Sequence, residues 1–215
     1  MTGIKHRLPA DLAEAELMLM NSLFLAIKTN ISNRYSIDIR FEGLRLLPIA
    51  LRLAKSIRDN KYKIKILWPD AGSTALAKQK STGFDIENIS FKDFNKSKLD
   101  ESDLVIYLAV NPRHYDYDEF SKLCSICNSP ILMLNGILED PIVGIGSVGR
   151  DRRRNFIRSW TNIFWLEPIN NGAILHHYPD DWLLFMNTDN GYIFLDKYSV
   201  KPTLEEIDES LFNMN

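Results

Sequence analysis

The chain has 215 residues, 45% apolar and 25% charged, a globular balance that excludes a disordered or low-complexity polymer. A formal net charge of -2 provides no global field toward nucleic acid or an anionic membrane. The only two cysteines, Cys124 and Cys127, exclude a disulfide scaffold and point to a reducing compartment.

No apolar stretch reaches bilayer length: the richest, from Leu17 to Ile27, is interrupted by Asn21 and Ser22. The first residues lack the apolar core of a signal peptide before Pro9, so a cytoplasmic protein with at most peripheral membrane association is expected. Asp11, with Glu14 three residues on, reads as a capping box opening a helix whose buried face carries Leu12, Ala15, Leu19, Leu23 and Ile27. Tyr35, Ile37, Ile39 and Phe41 then alternate with Ser36, Asp38 and Arg40. That period of two predicts a strand with one wet face near a sheet edge.

A helix follows Gly43, after which the pattern becomes α/β. Ile64 to Trp68 reads as a strand, 73–80 as a helix, and Ile86 to Phe91 as a short edge strand. Leu104 to Val110 is an unbroken apolar run, as expected of a strand covered on both faces. A helix from Tyr115 to Cys127 and a second unbroken strand, Ile131 to Leu134, follow. Strands alternating with helices imply right-handed crossovers and a parallel sheet. Past Arg158, four strand-like runs are separated by Asn170-Asn171-Gly172, Pro179-Asp180-Asp181 and Asp189-Asn190-Gly191, the residues of hairpin turns. Thr203 and Glu206 form a second capping box before a last helix. The expected fold is therefore one α/β domain over 1–215. Its 1–160 part is a mostly parallel sheet with flanking helices, and 161–215 add an antiparallel meander and a terminal helix.

Open parallel sheets bind ligands beyond the carboxyl ends of their strands. Asp70, Asn111 and Asn135 each directly follow an apolar strand, which places them on that edge; helix capping and turn formation are the plainer roles for them. Gly144, Gly146 and Gly149 match a G-x-G-x-x-G spacing ahead of a helix starting near Arg150. In a dinucleotide fold such glycines let backbone approach a pyrophosphate. Here eight residues separate Leu134 from Val143, so the tight strand-to-helix turn is missing. Glu167, at the spacing of a ribose ligand, falls among the meander strands. A glycine loop leading to Arg150, Arg152, Arg153, Arg154 and Arg158 remains, with Arg150, Arg154 and Arg158 on one helix face. Such a run serves phosphate binding about as readily as it serves a solvated face. The candidate ligand-binding set is Asp70, Asn111, Asn135, Gly144, Gly146, Gly149, Arg150 and Arg154.

Cys124-x-x-Cys127 has no second ligand pair for zinc, and it lies toward a helix end where no dipole lowers a thiol pKa, so buried thiols are expected. His176 and His177 are adjacent in a strand and point to opposite faces, so they do not chelate one ion. Neither a metal, a cofactor nor a catalytic constellation is expected.

Several phrases in order resemble a known family. They are Trp68-Pro69-Asp70-Ala71-Gly72, Val110-Asn111-Pro112, Leu134-Asn135-Gly136 with Leu138-Glu139-Asp140, Val143-Gly144-Ile145-Gly146, Tyr178-Pro179 with Trp182, and Lys201-Pro202-Thr203-Leu204-Glu205-Glu206. The order is similar to the cyanobacterial and plastid domain-of-unknown-function family numbered nineteen-ninety-five, over Pro9 to Leu211. A plant member of that family assists assembly of a photosystem II core subunit. The resemblance therefore implies a non-enzymatic accessory or assembly factor, with photosystem subunits or other assembly factors as partners, at the cytoplasmic face of the thylakoid. It carries no catalytic residue to this chain. The alternative is a binder of a phosphorylated small molecule or nucleotide, an enzyme among the options, using the strand-end cleft. The acidic overall balance disfavours nucleic acid.

Overall fold

The computed structural model describes residues 6–94, 99, 105–139 and 147–212. Helix α1 runs Leu12–Thr29. The expected capping box is only half formed: the N-cap Asp11 accepts the Glu14 N–H on Oδ1 at 2.8 Å, whereas the Glu14 carboxylate accepts the N–H of Ala10, one residue before the N-cap, at 2.6 Å. Strand β1 is Arg34–Ile39 and helix α2 is Leu46–Asp59. Strand β2, Lys63–Trp68, is followed by helix α3, Ala71–Lys80, and by the short strand β3, Glu87–Ser90. Strand β4, Val105–Val110, leads through a 3₁₀ turn at His114–Asp116 into helix α4, Tyr117–Ile126. Strand β5 is Ile131–Leu134 and helix α5 is Ser147–Arg158. The chain then forms β6, Thr161–Ile169, β7, Gly172–His177, β8, Trp182–Thr188, and β9, Gly191–Tyr198. Helix α6, Leu204–Phe212, comes last.

The sheet order is β3-β2-β4-β5-β1-β6-β7-β8-β9. Pairs β3–β2, β2–β4, β4–β5 and β5–β1 are parallel, whereas β6–β7, β7–β8 and β8–β9 are antiparallel. The fold is the expected one: mixed α/β, with a parallel portion, an antiparallel meander toward the C-terminus and a terminal helix. One reading needs correction. Strand β1 is central rather than near an edge, and its polar positions Ser36 and Asp38 are buried, 9% and 5% exposed. Alternation reports side-chain polarity, and a polar face covered by other polar and aromatic groups alternates just as a wet one does.

The chain divides into two compact units. The parallel unit comprises Thr29–Ile37 and Leu44–Asn162. Every residue of β4 is buried, which explains its unbroken apolar run. Leu67, Tyr107, Ala109, Phe120, Leu123, Ile131 and Trp160 share its core, the buried leucine, isoleucine and phenylalanine side chains each contributing about 1.5–3 kcal/mol. Edge strand β3 is pinned by a buried polar chain. The Trp68 indole N–H donates to Asn88 Oδ1 at 2.9 Å, and Asn88 Nδ2 donates to Ser81 Oγ at 3.0 Å and to the Ile86 carbonyl at 3.2 Å. Helix α5 is anchored by rings: Trp160 stacks on Phe120 at 5.6 Å between centroids, and Phe156 meets Tyr117 edge-on at 5.5 Å.

The meander unit comprises the described parts of Met1–Lys28, Asp38–Gly43 and Ile163–Asn215. Trp165, Ile174, Trp182, Leu184, Ile207 and Leu211 form its core cluster. Gly172 opens β7 because a Cβ there would stand 2.4 Å from the Phe185 carbonyl oxygen of the adjoining strand. The second capping box is complete, with the Thr203 N–H donating to Glu206 at 2.7 Å and the Glu206 N–H to Thr203 Oγ1 at 3.3 Å.

Candidate functional site

The carboxyl ends of β2, β4 and β5 carry Asp70, Asn111 and Asn135, as expected from a parallel sheet. Asp70 is the N-cap of α3. Its Oδ1 accepts the Ser73 N–H at 2.7 Å and its Oδ2 accepts the Ser73 hydroxyl at 2.8 Å. Hydrogen bonds from the Ser73 N–H and then its hydroxyl hold the Asp70 carboxyl below its ordinary pKa. Asn111 and Asn135 both adopt φ of 52°, the left-handed region that asparagine tolerates better than most residues. The Asn111 N–H donates to the Leu134 carbonyl at 2.7 Å, and the Asn135 N–H to the Ile37 carbonyl at 2.8 Å. Each asparagine thus turns the chain while tying one strand end to the next. All three residues have structural work to do.

Beside them lies a cleft of about 170 Å³, lined by Leu46, Leu47, Trp68, Pro69, Ser73, Leu76, Val110 and Asn111. Of the expected set only Asn111 lines it; Asp70, Asn135, Gly149, Arg150 and Arg154 do not. The polar side chains at its wall, Ser73 and Asn111, are outnumbered by apolar ones, so the cleft favours an apolar occupant.

Gly144 and Gly146 lie outside the described residues. Gly149 stands inside α5, which begins at Ser147, two residues before it. Arg150 and Arg154 are exposed. Arg153 points the other way: its guanidinium lies 4.4 Å from the Tyr117 ring centroid. Arg152 also faces α4, in a groove of about 480 Å³ lined by Arg34, Tyr117, Asp118, Ser121, Lys122, Ser125, Arg152 and Phe156. Glu167 accepts the Trp165 indole N–H at 2.9 Å, a role within β6. Both thiols are buried, and burial pushes Cys124 up to about 12. Among the described residues no group of three His, Cys, Asp or Glu side chains is placed to hold a metal ion, and no helix is long and apolar enough to cross a membrane.

The meander unit holds a charged cluster that sequence reasoning missed. Arg40 Nη2 donates to the buried Asp38 carboxylate at 2.7 Å. The same guanidinium sits 4.6 Å from the Trp165 ring centroid, and Lys201 Nζ lies 3.3 Å from that centroid and 5.9 Å from Trp182. His176 stacks on Trp182 at 4.6 Å with 7° between planes. Burial raises the Asp38 pKa, outweighing the pull of Arg40 and Lys201 in the other direction. Two signals point here: the polar positions of β1, and the pairing of two tryptophans with the Lys201-Pro202 phrase. Neither shows in local periodicity that the cation paired with a buried carboxylate lies against an indole ring.

No curated protein matches the sequence. A family model described as a domain of unknown function, DUF1995, matches residues 9–209. The match spans both units, from α1 into α6, and the chain therefore belongs to the DUF1995 family.

Proposed function

We propose that the chain is a non-enzymatic accessory factor that docks a partner polypeptide at the carboxyl edge of its parallel strands. The resemblance points to photosystem II biogenesis as the setting, with a photosystem subunit or assembly factor as partner and the thylakoid surface as the place of action. The strand-end cleft carries this reading. Its volume, about 170 Å³, falls below the roughly 300–1,000 Å³ of sites that enclose small molecules. It is close to the ~150 Å³ cavity that accepts a benzene-sized group. A cleft of that size takes one apolar side chain, the kind of anchor around which protein interfaces concentrate their energy. The polar residues around it hold helix and turn geometry, which favours a rigid docking rim over reactive chemistry.

Leu76 is 46% exposed at this cleft, so Leu76→Glu changes the docking surface without emptying the core. The test is deletion of the gene in a photosynthetic host, complemented by wild type or by the Leu76→Glu variant. Accumulation of photosystem II core subunits is expected to fall on deletion, to return with wild type and to stay low with the variant. Unchanged accumulation on deletion, across light regimes, removes the photosystem reading. Full rescue by Leu76→Glu removes the cleft from it.

A further inference from the structure

We propose that the groove between α4 and α5 is a binding site for the phosphate group of a soluble small molecule. It is distinct from the strand-end cleft and does not depend on the docking role. At about 480 Å³ it lies within the size range of small-molecule sites. Arg34, Lys122 and Arg152 contribute three cations to its walls against one carboxylate, Asp118. That local excess of positive charge occurs in a chain whose net charge is -2, so it is a property of this place and not of the whole surface.

One of the three cations is fixed in advance. Arg34 Nη1 donates to Ser159 Oγ at 3.0 Å and Nη2 to the Cys124 carbonyl at 3.3 Å, while Cζ lies 5.4 Å from the Phe156 ring centroid. These contacts hold the guanidinium plane and leave Nε–H and the second N–H of each terminal nitrogen for a ligand. Arg152 and Lys122 make no ion pair with a carboxylate among the described residues. Ser121 and Ser125 donate their hydroxyl protons to the carbonyls of Asp118 and Lys122. The groove therefore presents mainly cationic donors, one of them a planar fork, which is the chemistry that recognises phosphate. Phe156 adds an apolar surface for the organic part of the ligand. Sequence reasoning places the arginines of interest on the face of Arg150, Arg154 and Arg158, whereas the groove draws on Arg152 and on two residues from other elements.

The probe is inorganic pyrophosphate, titrated calorimetrically into the full chain at constant ionic strength. Saturable one-site binding is expected. The Arg152→Ala/Lys122→Ala double variant should weaken it by at least about tenfold, the loss expected for removing charge-assisted hydrogen bonds. Arg34→Lys, which keeps the charge and loses the fork, should weaken it as well. Arg150→Ala/Arg158→Ala removes the same charge outside the groove and should leave the affinity within twofold of wild type. Melting temperatures of the exposed double variants should match wild type, separating lost binding from lost fold. Absence of saturable binding at millimolar pyrophosphate, or equal weakening by the two double variants, overturns the proposal.

Discussion

The parallel and meander units place their polar side chains in opposite ways. At the strand ends of the parallel unit, Asp70, Asn111 and Asn135 are exposed or half-buried; the Asp70 carboxylate caps α3, and the two asparagines tie strand ends together through their backbone N–H groups. In the meander unit, Asp38 is buried, and Arg40 and Lys201 lie against indole rings. A cap is a local device, worth about 1 kcal/mol and replaceable by several residue types. A buried carboxylate whose cationic partner rests on an indole ring shared with Lys201 needs residues from β1, β6, β8 and the approach to α6 all at once, so its tolerance to change should be far smaller.

The largest expected effect tests that contrast directly. Trp165→Ala removes the ring on which both Arg40 and Lys201 rest and should cost about 3–5 kcal/mol in denaturant unfolding. A loss near that of a simple cap would show that the cluster is peripheral and break the comparison. Asp70→Ala should cost about 1 kcal/mol, since the Ser73 N–H loses its acceptor. Its pH dependence has a defined sign. The folded pKa of Asp70 is lowered, so its contribution is present above the unfolded value near 3.9 and disappears as pH falls through the folded value. The Asp70→Ala deficit should therefore be seen at pH 7 and vanish in strong acid.

Asp38→Asn should behave in the opposite sense and more gently. The folded pKa of Asp38 is raised, so the folded state holds its proton more tightly. The stabilisation linked to that proton is complete below the unfolded value near 3.9 and is lost as pH rises through the folded value. The amide that replaces the carboxyl group never ionises. The variant should match wild type in acid and become the more stable of the two toward neutral pH. That outcome, read from urea midpoints across pH, would mean that wild type keeps a charge at Asp38 at the expense of stability, the mark of a residue retained for another purpose. A variant that loses ground as pH rises would show that Arg40 outweighs burial.

Much of the fold was legible because its signals are local. The unbroken runs at β4 and β5, the turn residues between β6 and β9, the Asp11 cap on the Glu14 N–H and the Thr203–Glu206 box all depend on neighbours in sequence. The position of β1 was not legible, because sheet order is set by partners distant in the chain. Its Ser36 is met by the Asn162 amide at 3.1 Å, more than a hundred residues away, which no alternation pattern encodes. The site divides in the same way. That Asp70 caps and Asn111 and Asn135 turn was readable from residue type and place. That Arg34, Lys122 and Arg152 share one groove was not, because they come from the start of β1, from α4 and from α5.

The four tryptophans fall two to each unit. Trp68 and Trp160 belong to the parallel unit, the first donating to Asn88 and the second stacked on Phe120. Trp165 and Trp182 belong to the meander unit, one flanked by cations and the other by an imidazole. The chain thus has a separate optical reporter for each unit. Replacing either pair by phenylalanine would leave emission from one unit alone, turning the number of cooperative steps in unfolding into a question that a single fluorescence trace can answer.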